Sequence, residues 1–412
     1  ENDASMSFWY RTDWYNYNDG EVQLEIMVND GNWEVFYFSN TEITDWTQIT
    51  LDVSQYAGVG DEIQIKFRTY WYYWFYTYID DIQLSGLETE VQYGDGPRLY
   101  INNHDGDVIL KDSKILGSYS HSIYMENSEE SNLNIIDSDI IGSKNNPGVY
   151  TTSSDYSSIT IDNSRINDHA SYGIYMDSSY DTLYINDSEV SGNDNNGIYS
   201  SNSFKNTFIT NSKISDNSSN GIYLSGSYTP INVYDSEISF NDNHGIYNTN
   251  NYSTVTVENS KIIDNGASGI DTGSDYSPMV LDRTLVARNG NYGIYTGSSS
   301  GSSVSVSYST IVDNQDRGIY SADYAYIDNS IIYGNRQYDG SYQIFAGDGG
   351  TMDYSLNQRG TGGGTIEPMI LAQSSLTSNN QYSVVFGVDT IDTIPNYEYG
   401  IRYSTSEINV YN

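Results

Sequence analysis

Isolated aliphatic residues recur at fixed intervals in a very polar background over most of this chain. A Gly-Ile-Tyr phrase or a close variant begins at glycines that are 24 or 25 residues apart: Gly148, Gly173, Gly197, Gly221, Gly245, Gly269, Gly293 and Gly318. Short β-branched pieces between these phrases are separated by Gly, Asn, Asp and Ser, which predicts short strands joined by tight turns. Apolar residues show no sustained 3.6-residue period in this region, so no helix is predicted here.

Each 24-residue unit contains three such strand pieces, and each piece points one or two aliphatic side chains inward. A chain of this kind is predicted to coil so that successive turns pair in parallel, about 4.8 Å apart. The sequence therefore predicts an all-β fold whose main part is a parallel β-helix of about ten turns. Its length would be about 45 to 50 Å.

The polar residues also form columns, in which each residue stacks on its counterpart one turn away. One column is predicted to be a ladder of hydrogen-bonded amides at a turn: Asn193, Asn217, Asn241, Asn265, Asn289 and Asn314. A second column lies on the outer face and alternates in sign, continuing from Lys114 and Asp139 through Arg165, Glu189, Lys213, Glu237 and Lys261. Alternating charges attract along the stack, so both ladders are predicted to have structural roles.

Aromatic residues form two further columns. The first is predicted to face outward and is the candidate binding surface: Tyr175, Tyr199, Tyr223, Tyr247, Tyr295 and Tyr320, with Tyr124 and Tyr150 before them. The second contains Tyr156, Tyr180, Phe204, Tyr228, Tyr252 and Tyr276. Either column could simply stabilise the stack, or could contact sugars or a neighbouring subunit, because tyrosine offers a large amphipathic area at a low entropy cost.

Residues 1–87 have a different pattern, in which apolar and polar residues alternate between Asn-Asp-Gly turn signals. This alternation predicts an antiparallel β-sandwich. The segment resembles the MAM-like jelly-roll domains of extracellular proteins, through Ser7-Phe8-Trp9-Tyr10, Gly31-Asn32-Trp33 and Ile79-Asp80-Asp81-Ile82. Few residues precede the first strand, so we expect an incomplete sandwich or one that a strand from another chain completes.

The repeat region resembles the right-handed parallel β-helix proteins of the pectate-lyase-like superfamily, especially their non-enzymatic surface members. Its repeated Asn-Ser and Gly-Ile-Tyr phrases carry this resemblance, as do Asn329–Asn335 (NSIIYGN) and residues 360–369 (GTGGGTIEPM). The resemblance implies a β-helix over residues 88–369. Residues 370–412 show strand patterns without the repeat, and they are expected to form a terminal cap or an inter-subunit contact.

The charge of the chain narrows the range of partners. There are 17 Lys and Arg against 55 Asp and Glu, which gives a formal charge of −38. Such a surface repels nucleic acid and anionic lipid, so neither is an expected partner. No apolar run is long enough to insert in a membrane, and the absence of cysteine excludes disulfides and thiolate metal sites.

The resemblance to polyuronate-processing relatives implies catalysis by clustered Asp with Arg or Lys, yet here basic residues are few and four belong to the charge ladder. The hydrolase phrases Gly-His-Gly and Arg-Ile-Lys are absent. The pairs Asp168-His169 and Asp282-Arg283 come nearest to a reactive arrangement. We therefore expect no enzymatic activity and no cofactor, with calcium left open because Asp80 and Asp81 could contribute ligands.

Three Asn-X-Ser/Thr sequons occur, at Asn186, Asn217 and Asn251. Asn217 belongs to the amide ladder, whereas Asn186 and Asn251 are predicted to face solvent. Only these two are candidates for glycosylation.

Three functions remain open from the sequence. The first is a structural protein of the extracellular cell surface, which assembles with itself into a layer, sheath or filament. The second is an adhesin that binds glycans through the tyrosine column, and the third is a polysaccharide lyase or hydrolase.

Overall fold

The computed structural model describes residues 97–353 except for gaps at 103–105, 202, 250, 274, 298–300 and 337–342. Outside this range it describes residues 5–14, 20–28, 34–39, 45–55, 63–71, 75–85, 356–357, 361–363, 400–403 and 408–411. Three long parallel sheets run side by side along the repeat region. They confirm the predicted all-β fold with a parallel β-helix of about ten turns.

Each turn contributes one strand to each sheet, and we name the sheets I, II and III in chain order. Sheet I contains Asp107–Lys111, Asn132–Ile136, Ser158–Asp162, Thr182–Asn186, Asn206–Thr210, Ile231–Tyr234, Val255–Glu258, Met279–Asp282, Val304–Ser307, Tyr324–Asp328 and Gly349–Asp353. Sheet II contains Lys114–Ser118, Asp139–Ser143, Arg165–Asn167, Glu189–Ser191, Lys213–Ser215, Glu237–Ser239, Lys261–Ile263, Leu285–Ala287, Thr310–Val312, Ile331–Tyr333 and Leu356–Asn357. Sheet III contains Leu99–Asn102, Ile123–Glu126, Val149–Thr152, Ile174–Asp177, Ile198–Ser201, Ile222–Ser225, Ile246–Asn248, Ile270–Thr272, Ile294–Thr296, Ile319–Ser321, Ile344–Ala346 and Thr361–Gly363.

The strands pair in register, so each residue lies beside its counterpart one turn away. In sheet III, for example, Ile198 pairs with Ile222 and Tyr199 with Tyr223. Burial alternates along each strand: the Ile of the Gly-Ile-Tyr phrase is fully buried and the Tyr is only partly buried. The aliphatic columns therefore form one continuous core along the axis, as period-2 alternation requires.

The amide ladder forms at the turn that joins sheets II and III. Asn217 Nδ2 donates to Asn241 Oδ1 at 2.8 Å, and the backbone N–H of Asn193 donates to Asn217 Oδ1 at 3.2 Å. Asn335 extends the ladder at one end. Glycine is required beside it, because a Cβ on Gly221 would lie 2.8 Å from both Asn241 Nδ2 and the carbonyl oxygen of Gly245.

His169 occupies the ladder position at the opposite end. Its Nδ1 accepts from the backbone N–H of Ser143 at 2.9 Å, and its Nε2 lies 3.1 Å from the carbonyl oxygen of Ile140. This pattern fits a neutral ring that carries its proton on Nε2. Burial lowers the pKa of His169 to about 4.

The N-terminal strands are antiparallel, as predicted. One sheet has the order Glu34–Ser39, Gly20–Val28 and Ile63–Trp71. The other strands, Phe75–Ser85, Ser5–Trp14 and Thr47–Asp52, extend sheet I, and a 3₁₀ turn follows at Val53–Gln55.

The junction between the N-terminal strands and the solenoid is a parallel pair of strands. Ile82 pairs with Val108, and Met6, Phe8 and Val53 belong to the same buried cluster as the solenoid core. The domain boundary at residue 87, the MAM-like identity of the first segment and its completion by another chain all stay predictions.

The C-terminal segment is described only at Gly400–Tyr403 and Ile408–Tyr411, which pair antiparallel. Residues 364–399 lie outside the described residues, so the cap or contact role expected for residues 370–412 stays a prediction. No helix in the described part of the chain is long and apolar enough to cross a membrane.

We expect the variant His169→Asn, which installs the residue of the other ladder positions, to flatten the acid dependence of stability. The pKa of His169 is lower in the folded chain than the value of about 6.5 in the unfolded chain. Stability is therefore fully present above pH 6.5 and is lost as the pH falls through 4, by about 2 to 3 kcal/mol for this group. Denaturant unfolding between pH 4 and 7 measures this, and equal slopes for variant and wild type would contradict it.

Candidate functional site

A long column of aromatic rings covers the outer face of sheet III. We call it the tyrosine column; it comprises Tyr100, Tyr124, Tyr150, Tyr175, Tyr199, Tyr223, Tyr247, Tyr295, Tyr320 and Phe345. Neighbouring rings within it have centroids 4.7 to 5.5 Å apart and planes tilted by 11 to 38°. The structure thus brings together all six tyrosines predicted as a binding surface and adds Tyr100 and Phe345.

Apart from Tyr100, which is 50% exposed, the rings of this column are partly buried rather than standing free in water. A second row of rings packs beside them, in which His121 stacks on Tyr124 at 4.9 Å and Tyr172 stacks on Tyr199 at 5.1 Å. Burial is the largest cause of the raised pKa values of Tyr124 and Tyr175. These hydroxyl groups are therefore neutral donors and acceptors at ordinary pH.

The column is interrupted once, where Asp271 takes the place of a tyrosine. Asp271 pairs in register with Tyr247 on one side and with Tyr295 on the other. Its side chain is only 15% exposed, and burial raises the pKa of its carboxyl to about 7. A carboxyl group that is half protonated near neutral pH therefore lies between two tyrosine rings.

Two further polar side chains surround Asp271. His244 stacks on Tyr247 at 4.9 Å, and its Nδ1 lies 3.7 Å from Asp271 Oδ2, which is beyond hydrogen-bond distance. Burial lowers the pKa of His244 to about 4, so between pH 4 and 7 both groups are mainly neutral. The His244 Nδ1 and the Ser268 hydroxyl are buried without a hydrogen-bond partner in the described structure.

The second predicted aromatic column lies at the turn between sheets III and I. Its rings are 45 to 60% exposed and stack at 4.7 to 5.1 Å with planes only 3 to 9° apart. Each residue has a positive φ, from 54 to 62°, which is unfavourable for a bulky side chain. We call it the corner column; its nearly parallel rings largely cover one another.

A buried lysine lies next to the corner column. Lys205 is 2% exposed, and its Nζ donates to the carbonyl oxygen of Met176 at 2.7 Å. Burial lowers the pKa of Lys205 and raises that of Asp181, one turn earlier. Because no opening to solvent reaches Lys205, it acts as a structural group.

The charge ladder lines a shallow groove of about 900 Å³ on the outside of sheet II. Arg165 makes a two-pronged pair with Asp139, at 2.7 and 2.6 Å, and Lys261 Nζ lies 3.7 Å from Glu237 Oε2. The Arg165 guanidinium is the largest cause of the lowered pKa of Asp139. Glu189 and Lys213 are also neighbours in register.

The other residues singled out from the sequence are dispersed. Arg283 pairs with Asp282 at 2.6 Å, far along the chain from His169. Asn186 is partly exposed and Asn251 is exposed, whereas Asn217 is buried in the amide ladder. Glycosylation of Asn186 and Asn251 stays a prediction.

No group of three or more metal-ligating side chains occurs among the residues the structure describes. Asp80 and Asp81 lie in the strand Phe75–Ser85. Calcium binding stays a prediction.

Comparison with protein families gives a match over most of the solenoid. A family model described as a right-handed β-helix region matches residues 97–252 and 202–358, which together make up more than half of the chain. The chain belongs to the right-handed β-helix family. This result confirms the predicted resemblance for the solenoid, and comparison with curated proteins gave no match.

Solved structures with a similar fold include three that share 14% identity or less with this β-helix protein. The pectate lyase Pel9A is 14% identical, and the match covers 64% of this chain and 70% of the lyase with a TM-score of 0.39. A double mutant of the periplasmic alginate epimerase AlgG is 14% identical, and the match covers 57% of this chain and 81% of the epimerase with a TM-score of 0.36. The A-module of the Azotobacter vinelandii mannuronan C-5 epimerase AlgE6 is 11% identical, and the match covers 68% of this chain and 87% of the module with a TM-score of 0.33. At these identities the likeness concerns the fold alone.

These structures correct one expectation from the sequence. The absence of hydrolase phrases and the scarcity of basic residues led us to expect that the chain is not an enzyme. That conclusion is wrong as an exclusion, because a pectate lyase and two epimerases have this fold, so the fold leaves enzymatic activity open. Missing motifs of one enzyme class do not exclude catalysis on this fold.

The site at Asp271 was missed by sequence reasoning, although its signal is present. The phrase Gly269-Ile270-Asp271 is the one repeat in the series with a carboxylate in place of the aromatic residue. A break in an otherwise constant column, with a histidine one turn earlier, is the pattern that identifies the site.

We expect the variant Asp271→Asn to be more stable than wild type, with a larger gain at pH 8 than at pH 5. The pKa of Asp271 is about 7 when folded and about 3.9 when unfolded. Wild-type stability therefore falls as the pH rises between these values, and the gain should grow by about 2 to 3 kcal/mol from pH 5 to pH 8.

Denaturant unfolding at the two pH values measures this difference. Asp275→Asn, which removes one negative charge from an exposed turn, is the matched control. An equal gain in both variants would mean that overall charge, rather than burial of Asp271, is responsible.

Proposed function

We propose that this β-helix protein binds a polysaccharide along the tyrosine column. The observation that carries the proposal is a row of ten aromatic residues with a single break, on one face of a solenoid about 45 Å long. Aromatic rings pack against the C–H faces of sugars, and their hydroxyl groups exchange hydrogen bonds with sugar hydroxyls. The tyrosine column offers both along its whole length.

The spacing of the rings suits a polymer. An extended chain of equatorially linked hexoses advances by nearly the same length per sugar as the solenoid does per turn, about 4.8 Å. Alternate sugars of such a chain, which present the same face, can therefore meet alternate rings in equivalent ways. A formal charge of −38 repels anionic chains, so we propose a neutral polysaccharide.

The tyrosine column is a better candidate than the corner column. The corner rings lie within 9° of parallel, so neighbouring rings shield most of each face. The rings of the tyrosine column are less exposed than the corner rings apart from Tyr100, but they are tilted by up to 38° and are flanked by a second row of side chains. The corner column therefore provides control positions.

Binding of a polysaccharide fits a location outside the cytoplasm, which we include in the proposal. The names of the similar structures refer to pectate, alginate and mannuronan, but likeness at this level transfers the fold only. Self-assembly into a layer or filament, expected from the sequence, gains no support from the described contacts and stays untested.

We expect the double variant Tyr199→Ala/Tyr223→Ala to lose affinity for polysaccharide about fivefold or more. Each aromatic contact contributes about 0.5 to 1.5 kcal/mol, and 1.4 kcal/mol corresponds to a factor of ten. A screen of neutral polysaccharides with wild-type protein selects the ligand, and pull-down on the insoluble polymer measures the loss.

The matched control is Tyr228→Ala/Tyr252→Ala in the corner column, which removes two stacked rings from a different surface. It should bind within about twofold of wild type. Equal losses in both variants, or no binding of any polysaccharide by wild type, would contradict the proposal.

Chemical modification of the bound polysaccharide is a second candidate, favoured by the pair Asp271 and His244. The Asp271 carboxyl is half protonated near pH 7 and the His244 imidazole is neutral, so the pair can donate one proton and accept another. We expect release of reducing ends or of unsaturated products from a bound polysaccharide, and loss of that release in Asp271→Asn. Unchanged release in the variant would show that Asp271 takes no part in such a reaction.

A further inference from the structure

Two polar columns line the groove on the outside of sheet II, and they change character together from turn to turn. One is the charge ladder. The other lies two residues earlier, at the turn between sheets I and II, and alternates between acid and amide: Asp137, Asn163, Asp187, Asn211, Asp235 and Asn259. A turn with acids in both columns, such as Asp187 and Glu189, is followed by one with an amide and a cation, such as Asn211 and Lys213. Bands of alternating character therefore cross the groove about 4.8 Å apart.

Contacts within the chain use only part of this pattern. Arg165 pairs with Asp139, and the Lys261 ammonium lies 3.7 Å from the Glu237 carboxylate. The Arg165 and Lys261 side chains nevertheless stay 53% and 58% exposed. Both cations can therefore meet further carboxylates without giving up their partners in the stack.

The middle of the ladder has charges that the chain itself does not pair. Glu189 and Lys213 are neighbours in register, but no ion pair joins Lys213 to another residue in the part of the chain that the structure describes. The Glu189 carboxylate accepts a hydrogen bond from the Ser191 hydroxyl at 2.9 Å. One cation and one carboxylate at the centre of the groove are thus available to a partner.

The pattern is complementary to itself about one two-fold axis, which crosses the solenoid between Glu189 and Lys213. A second copy laid antiparallel over the groove about this axis places every acidic band against a band of amide and cation. The facing pairs of the ladder are Glu189 with Lys213, Arg165 with Glu237 and Asp139 with Lys261, and those of the other column are Asp187 with Asn211, Asn163 with Asp235, Asp137 with Asn259 and Asp112 with Arg283. In a parallel arrangement each turn would face itself, so acid would meet acid.

We propose that this groove docks a second copy of the chain, as an antiparallel pair with the two-fold axis between Glu189 and Lys213. A contact of this kind closes on itself, so it gives a dimer rather than a layer or filament. The eight turns from Asp112 to Arg283 span about 34 Å, and a strip two columns wide stands near the lower limit for specific interfaces, about 1,000 Å² in total. The dimer should therefore be weak.

The inference goes beyond the proposed function and does not depend on it, because no residue of sheet III lines the groove. The formal charge of −38 on each copy opposes association. At about 0.15 M salt the Debye length is about 8 Å, so repulsion between the distant parts of the two copies is screened, whereas charges in contact are screened much less. The dimer is therefore best measured at this salt concentration.

Sedimentation velocity of the full chain, at concentrations up to about 1 mM, tests the dimer. We expect a monomer–dimer equilibrium without larger species. Lys213→Glu and Glu189→Lys should each weaken self-association about tenfold or more, because each places like charges at both central contacts. An equimolar mixture of the two variants should dimerise within about threefold of wild type, because opposite charges meet again at both central contacts.

The matched control is Arg336→Glu, which makes the same change of charge at an exposed position after the amide ladder, on a different corner. It should dimerise within about twofold of wild type. Melting temperatures verify that the variants fold, and recovery on mixing cannot come from a role within one chain, because mixing alters neither chain.

Three results would overturn the inference. Wild type that stays monomeric at about 1 mM leaves the groove to a partner of another kind. A mixture of folded variants that associates no better than either variant alone excludes facing of Glu189 and Lys213. Assemblies larger than a dimer exclude the two-fold arrangement.

Discussion

In-register stacking of identical turns is the constraint on which this structure depends. Each turn has to present an aliphatic residue inward, an amide at the same corner and a glycine beside it, because its neighbours lie about 4.8 Å away on both sides. Asn217 illustrates the demand: it accepts from the turn before it and donates to the turn after it. A turn that departs from this pattern leaves buried donors without acceptors on two sides.

The same constraint produces long surfaces of one chemical type. A residue type that recurs every 24 positions becomes a continuous column, so the outer faces carry rows of tyrosine, of alternating charge and of corner aromatics. On such a surface a single exception is conspicuous. Asp271 removes one ring from a row of otherwise aromatic residues and places a partly desolvated carboxyl beside the imidazole of His244, whose Nδ1 has no hydrogen-bond partner in the described structure.

The buried exceptions in the solenoid differ from this one. His169 replaces an asparagine in the amide ladder, but its two ring nitrogens meet backbone partners that use the neutral form. Lys205 Nζ donates a hydrogen bond to the carbonyl oxygen of Met176 and is closed off from solvent. At Asp271, by contrast, the carboxyl lies against the His244 imidazole, whose Nδ1 has no hydrogen-bond partner in the described structure.

Sequence alone determined the solenoid, its register and the membership of its columns, because a repeat of constant length converts positions 24 apart into neighbours in space. Tyr199 and Tyr223 could be placed side by side for this reason. Only the tertiary structure decided how deeply each outward residue is covered, since burial depends on side chains from other rows: His244, from the row beside the column, stacks on Tyr247 and lies against Asp271. It also decided that Phe75–Ser85 pairs in parallel with Asp107–Lys111, a junction for which no repeat exists to supply the register.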